Sequence, residues 1–206
     1  MIDFTSQVTR LLFPSAVYSL NDGRVHLTFD DGPHPKATPI VLDILNKFAV
    51  KATFFPVGQR AQEHPDIVQN IVSEGHAVGN HTLSHRNLLF HTKDVIEREI
   101  RGAYDILVQT TGFRPRLFRP PYGLFDNRTL KIVGSLGMQL VHWSNDLRDF
   151  KPRVTAETVS NAASHIGKGS IVLLHDNDST AEKISTLLTT AIRSFRDRGL
   201  EFAALS

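Results

Sequence analysis

The sequence predicts an α/β fold, a distorted (β/α) barrel of about seven parallel strands with an outer ring of helices. Three observations lead there. Strand-like and helix-like segments alternate from residue 25 onward, the order that parallel pairing through right-handed crossovers produces. Ser170 to Leu174 is a near-continuous apolar run, which is how a strand covered on both faces reads. Finally, Asp30-Asp31, His81, Arg119, Asp146 and His175 each fall at or just past the C-terminal end of a different predicted strand. A barrel gathers polar groups from several strand ends at one face, whereas an open doubly wound sheet concentrates them at one switch point.

With 206 residues and 41% apolar content, the chain can bury a full core as one domain. Lys and Arg number 23 against 21 Asp and Glu, too even a balance for nucleic acid or an anionic membrane as the main partner. Cysteine is absent, which excludes disulfides, thiolate metal sites and a cysteine nucleophile. Any metal must bind through His and carboxylate. Residues 1–24 read as an N-terminal arm packed on a domain spanning 25–206. Leu11 to Tyr18 is apolar enough for a signal-peptide core, but Pro14 interrupts it and Asp3 sits where such a peptide carries positive charge. The expectation is a cytoplasmic protein or an exported form with its signal removed. No stretch reaches the roughly 18 apolar residues of a membrane span.

The first strand, Val25 to Phe29, runs into Asp30-Asp31, and Gly32-Pro33 stops it. Neighbours on a strand point to opposite faces, so both carboxylates can serve one site only if the backbone turns there. Gly32 is expected to permit the turn. Thr38-Pro39 reads as N-cap and first position of a helix with Ile40, Val41, Ile44, Leu45 and Phe48 at helical spacing. A strand over Lys51 to Val57 follows; Pro65-Asp66 then opens a helix that Gly75 stops, and His76 to Asn80 reads as the third strand. Thr92 to Thr111 is a long amphipathic helix ending at Gly112, followed by a strand over Leu117 to Arg119. Asp126 can cap a helix that runs to Gly137, and Met138 to Trp143 makes the fifth strand. Thr155 to Ile166 is helical, and Ser170 to Leu174 is the sixth strand. Ser179-Thr180-Ala181-Glu182 has the form of a capping box before the apolar face of Ile184, Leu187, Leu188, Ala191, Ile192 and Phe195. Glu201 to Leu205 completes seven strands.

His81 and His85 stand at i and i+4, a spacing that lets both imidazoles reach one metal ion if the segment is a helical turn. A polar loop with two surface histidines accounts for the same stretch. A helix-borne metalloprotease site would need Glu directly after the first His, and Thr82 is there instead. Two histidines leave one protein ligand missing from the usual three, and a carboxylate from Asp30-Asp31 would leave a position open for water.

Thr28-Phe29-Asp30-Asp31-Gly32-Pro33, His81-Thr82-Leu83-Ser84-His85, Arg119-Pro120-Pro121-Tyr122, Asp146-Leu147-Arg148-Asp149 and Leu173-Leu174-His175-Asp176 together resemble, in order and spacing, the five motifs of the polysaccharide deacetylases. These are the family 4 carbohydrate esterases that share the chitooligosaccharide deacetylase homology domain. The resemblance covers roughly residues 25 to 205, and five motifs in order are far more specific than any one.

The resemblance implies a metal-dependent hydrolase that removes N-acetyl groups from N-acetylglucosamine-containing glycans of chitooligosaccharide or peptidoglycan type. It implies Asp31, His81 and His85 as ligands of a divalent metal, Zn or Co, and Asp30 as general base toward the attacking water. Arg119 would hold that base, as a bidentate guanidinium can, and the backbone N–H of Tyr122 would help to stabilise the oxyanion. His175 would be the general acid, oriented by Asp149, and Leu173 would line the pocket for the acetyl methyl group. Tyr122 and Phe150 would contact the glycan. The fourth family motif usually ends in Trp; Phe150 keeps the apolar surface without the indole N–H, which bears on substrate preference. Two other functions fit the scaffold: a non-catalytic carbohydrate-binding protein, which could dispense with Asp30, Arg119, Asp149 and His175, and an amidase of a small non-sugar amide, which would need a tighter, closed pocket.

Overall fold

Alternation along the first strand, β1 (His26–Asp30), sets the layers. Leu27 and Phe29 pack with Val41 and Leu45 of helix α2 (Ala37–Lys47) and with Leu188, Ala191 and Ile192 of α8 (Ile184–Arg196) in the main core. Thr28 and Asp30 point the opposite way, into the barrel, where both meet Arg119. The remaining strands of this computed structural model, which describes residues 4–206, are β2 (Thr53–Phe55), β3 (Ala77–Val78), β4 (Leu117–Phe118), β5 (Gln139–Leu140), β6 (Asn145–Asp146) and β7 (Ile171–His175). Helices α1 (Phe4–Leu12), α3 (Gly58–Glu63), α4 (Pro65–Ser73), α5 (Lys93–Thr111), α6 (Asn127–Ser135) and α7 (Ala156–Ser164) join α2 and α8 around them.

Five strands pair in the order β3-β2-β1-β7-β6, and β4 pairs with β5. Every strand pair is parallel. One parallel bridge, Asn80 to Phe118, joins the β3 edge to β4. On the other side, residues 139–146 pair with β4 at their start and with β7 at their end, with a bend at Ser144 between. The ring therefore closes through one segment that changes neighbours, which makes the barrel distorted. Its interior holds Phe55, Leu117, Val141, Trp143, Ile171, Leu173 and Leu205.

Several local expectations shift. The strand expected over Met138 to Trp143 is β5 alone, because the chain leaves β4 after Leu140 to reach β7. Glu201 to Leu205 is not a strand: Phe202 makes a single bridge to Val25, and Leu205 donates its N–H to Thr53 Oγ1 at 2.8 Å. Thr38 does not cap α2, since its hydroxyl is committed to Asp176 Oδ2 at 2.6 Å. Ser179 caps nothing either; its N–H and Oγ bond Asn177 Oδ1, and α8 starts at Ile184. Asp126 does cap α6, Thr155 forms a capping box with Thr158, and Gly112 closes α5 at φ 75°. Helix α3, Gly-Gln-Arg-Ala-Gln-Glu, has no apolar periodicity by which to be read from sequence.

Within the segment 1–24, residues 1–3 lie outside the described residues. Residues 17–20 run against the barrel wall: Val17 N–H donates to Leu140 O at 2.9 Å and Leu20 N–H to Gly169 O at 2.9 Å. Ala16 and Tyr18 are buried. Among the described residues, no helix is long and apolar enough to cross a membrane. Leu174 is fully buried where β7 meets the helices, so Leu174→Ala should cost about 2–5 kcal/mol by denaturant unfolding. Leu11→Ala, at an exposed position of α1, should cost within about 0.5 kcal/mol of nothing.

Candidate active site

The register of β1 against its neighbours brings the first groups together. Asp30 pairs with His175 of β7 on one side and with Phe55 of β2 on the other, so Asp30 and His175 stand level at the C-terminal face. Asp31 then turns the chain with φ 76°. Both carboxylates thus face one site, but the left-handed residue is Asp31 rather than Gly32. Gly32 is required for a different reason: a Cβ there would lie 2.2 Å from Asp176 Oδ2. The close approach lets Gly32 N–H donate to Asp176 Oδ1 at 3.0 Å, which ties the turn after β1 to the turn after β7. Asp176 is fully buried, and burial above all raises its carboxyl to about 7.

His81 and His85 do share one site, yet not on a helical turn. The segment between them is a loop with left-handed backbone at Thr82 (φ 67°) and His85 (φ 59°). Helix α5 holds this loop. Leu83 N–H donates to Glu99 O, Asn80 Nδ2 to Ile100 O, and the Glu99 carboxylate accepts from both Ser84 N–H (2.9 Å) and Ser84 Oγ (2.8 Å). Thr82 Oγ1 accepts His85 N–H at 3.1 Å and closes the loop on itself.

Asp31, His81 and His85 each offer one ligand atom, all within 4.8 Å of one another. Asp31 Oδ1 is buried with no hydrogen-bond partner aligned on it, and faces His85 Nε2 at 2.9 Å and His81 Nε2 at 3.4 Å. Three lone-pair donors converge at low cost only around a proton or a cation. Burial opposes ionisation of Asp31, but the two imidazoles outweigh it and hold its carboxyl well below the usual range. Burial likewise opposes the His81 cation, while Asp30 and Asp31 raise its pKa. His81 Nδ1 lies 2.7 Å from Arg119 O, so that nitrogen carries the proton and Nε2 is left as the electron-pair donor. The residues fit a divalent metal with room for further ligands.

Arg119 is fully buried (0% exposed), and burial lowers its pKa although Asp30 opposes the change. Its Nη1 donates to Asp30 Oδ1 at 2.8 Å and to Thr28 Oγ1 at 2.7 Å, its Nη2 to His142 O at 3.0 Å, and its plane lies over the Phe55 ring at 4.3 Å. The contact with Asp30 is therefore single, not bidentate, because a backbone carbonyl takes the second amino group. Asp30 Oδ2 is left facing His81 Nε2 at 3.8 Å. Three residues after Arg119, Tyr122 has φ 61°, and its ring meets His85 edge-on at 4.8 Å.

On the far wall, Asp149 is fully buried and accepts from His175 twice, at the backbone N–H (2.7 Å) and at Nδ1 (2.8 Å). That contact commits Nδ1, and His175 is among the residues that line the cleft. Burial lowers the His175 pKa, but the nearby carboxylates, Asp149 first and then Asp31 and Asp30, outweigh this and push it up to about 10. Phe150 packs edge-on against His175 at 5.2 Å. Tyr122, Trp143, Phe150 and Leu173 line a cleft of about 430 Å³ together with Asp31, His81, His85 and His175. Tyr122 and Phe150 stay 58% and 40% exposed at its rim.

Two residues with structural parts here were not singled out from sequence. Glu99 falls within the apolar stripe Ile96, Ile100, Ala103, Leu107 of α5, and a carboxylate on a buried helical face is a signal that could have found it. Asn177 donates to Asp31 Oδ2 at 2.8 Å; nothing local marks it. Asp146, which lines the cleft, accepts Arg148 N–H at 2.7 Å.

The family model for polysaccharide deacetylase matches residues 18–141. A chitooligosaccharide deacetylase of Azorhizobium caulinodans is 37% identical over 167 residues, 81% of this chain and 80% of that protein. A peptidoglycan-N-acetylglucosamine deacetylase of Bacillus cereus is 41% identical over 156 residues, 75% of this chain but 56% of that longer protein. Among solved structures, a peptidoglycan N-acetylglucosamine deacetylase in complex with an N-hydroxybenzamide superposes with a TM-score of 0.89 at 34% identity, covering 96% of this chain and 94% of that one. A family 4 carbohydrate esterase pseudoenzyme of Bacillus anthracis gives 0.84 at 29% identity over 93% of this chain and 68% of its own. Shape alone thus does not separate enzyme from pseudoenzyme, whereas ordered motifs and sequence identity place the lineage: the chain belongs to the polysaccharide deacetylase family.

Proposed function

We propose that this chain is a divalent-metal-dependent N-deacetylase of N-acetylglucosamine-containing glycans, of chitooligosaccharide or peptidoglycan type, with residues 25–206 as its catalytic domain. One observation carries the reading. The Asp31-His81-His85 cluster lies between a buried carboxylate braced by Arg119 and an imidazole braced by Asp149. A binding protein would need neither brace. Zn²⁺ or Co²⁺ suits two imidazoles and a carboxylate, and when bound it supplies Lewis acidity toward the acetyl carbonyl and toward a water.

The chain's own groups do the rest. Asp30, with Oδ1 tied to Arg119, keeps Oδ2 free to take a proton from the water as its oxygen attacks the acetyl carbon. The backbone N–H of Tyr122 donates to the carbonyl oxygen as negative charge develops on it. His175 Nε2, whose ring is oriented by Asp149, gives its proton to the amide nitrogen as the C–N bond breaks. The products are acetate and a free amine on the sugar. Leu173 offers an apolar wall to the acetyl methyl group, and the exposed rings of Tyr122 and Phe150 suit the faces of a sugar chain. An open cleft favours a glycan over a small closed-pocket amide.

Chelation should abolish acetate release from chitooligosaccharides or peptidoglycan, and added Zn²⁺ or Co²⁺ should restore it; full activity of His81→Ala in metal-free buffer contradicts the ligand set. Asp30→Asn and His175→Ala should each cost about 10²–10⁴ in kcat on the glycan. Only Asp30→Asn should also lose an aryl acetate, whose leaving group needs no proton. Equal loss of both substrates in both variants refutes the division into base and acid. Because the Asp149 charge raises the His175 pKa, the acid form persists to higher pH than for a free imidazole. The alkaline limb of kcat/KM should therefore move to lower pH in Asp149→Asn, and an unmoved limb means that another group is the acid.

A further inference from the structure

The carboxylate of Asp31 has two oxygens, and only Oδ1 faces the histidines. We propose that Asn177 is the positioning residue that makes this choice, holding Oδ2 back so that Asp31 presents one fixed oxygen to a divalent cation. The inference rests on the reading of Asp31, His81 and His85 as a metal centre.

The amide of Asn177 is oriented without ambiguity. Its Oδ1 accepts from Ser179 N–H at 2.9 Å and lies 2.7 Å from Ser179 Oγ. A backbone N–H can only donate, so the atom it meets is the oxygen. The atom 2.8 Å from Asp31 Oδ2 is therefore the NH₂ group. The backbone behind it is also fixed: Asn177 N–H donates to Thr180 Oγ1 at 3.2 Å, Thr180 Oγ1 donates to His175 O at 2.8 Å, and Asp176 N–H donates to Asp30 O at 3.2 Å. Three consecutive residues, starting with the last residue of β7, thus reach the site in turn. His175 faces the cleft, Asp176 holds Gly32, and Asn177 holds the Asp31 carboxylate.

A neutral donor suits this position. An amide orients a carboxylate without cancelling its charge, whereas Lys or Arg would compete with a cation for it. The guanidinium that does contact Asp31 obeys the same restriction, since Arg60 Nη1 donates to the Asp31 backbone oxygen at 2.8 Å. Without Asn177 the carboxylate can rotate, and either oxygen or both can turn to the imidazoles.

The test is Zn²⁺ affinity of the full chain, measured by competition with a chelator of known affinity, together with thermal unfolding of the metal-free forms. Asn177→Ala should weaken Zn²⁺ binding about 10- to 100-fold, the usual effect of removing a partner of a metal ligand, with a metal-free melting curve like that of the wild type. Ser179→Ala, in an exposed turn, removes one of the two groups on Asn177 Oδ1 and should weaken binding by a smaller factor; it also serves if Asn177→Ala folds poorly. Wild-type affinity in the variants overturns the role of Asn177 and leaves the metal centre standing. Failure of the wild type to bind Zn²⁺ at a site that His81→Ala removes overturns the metal centre itself.

Discussion

The site depends on one ion pair that the barrel buries whole. Arg119 and Asp30 meet at 2.8 Å with essentially no exposure on either side. Two charges so placed lose hydration worth several kcal/mol each, and the loss is recovered only if their remaining hydrogen-bonding groups are also satisfied. On the guanidinium side they are, since it reaches Thr28 Oγ1 and His142 O besides the carboxylate; on the carboxylate side Oδ1 is taken and Oδ2 is left toward the site. Thr28 in turn donates to Val172 O at 2.8 Å across the β1–β7 pair. The interior of the barrel thereby fixes the proposed base from β1, the arginine after β4 and the crossing segment 139–146 relative to one another, which is why the ring has to close where it does.

Around that fixed pair the loops are strained. Among the described residues, those other than glycine with positive φ are Asp31, Ala49, Thr82, His85, Tyr122 and Arg148; all but Ala49 belong to loops that carry or adjoin the site. A left-handed L-residue costs on the order of 1–2 kcal/mol, so each must be held by something nearby. Asp31 is held by Asp176 through Gly32 and by Asn177. The loop between the histidines is held by Glu99 and by Asn80. Arg148 is held by the Asp146 carboxylate on its N–H. These partners take no part in the proposed bond-making; they offset the strain that aims the groups which do.

Much of this was legible in the sequence because it rests on local rules. Parallel strands buried on both faces leave apolar runs, and their C-terminal ends leave polar residues at intervals, so the barrel and the positions of Asp30, His81, Arg119 and His175 could be read. Short strands could not be bounded: residues 139–146 change partners midway, and Phe202 makes only one bridge, features set by barrel closure rather than by propensity. Spacing between His81 and His85 suggested a shared site correctly and a helical turn wrongly, because i,i+4 proximity arises from a strained loop as well as from a helix. Capping hydroxyls were misread at Thr38 and Ser179 for a common reason: each is spent on the network beneath Asp31, through Asp176 and Asn177. Glu99 betrays itself only as a carboxylate on a buried helical face, and Asn177, which acts across the fold, leaves no local mark at all.

X-ray absorption at the zinc edge of the Zn²⁺-loaded chain tests Asp31, His81 and His85 as a metal centre, since it reports the ligands without relying on turnover. Nearest neighbours should be nitrogen and oxygen only, at about 2.0–2.2 Å, with the outer-shell scattering of two imidazoles. That signal should fall to one imidazole in His81→Ala and likewise in His85→Ala. A wild-type spectrum with no imidazole scattering, or one left unchanged by either substitution, would contradict this ligand set.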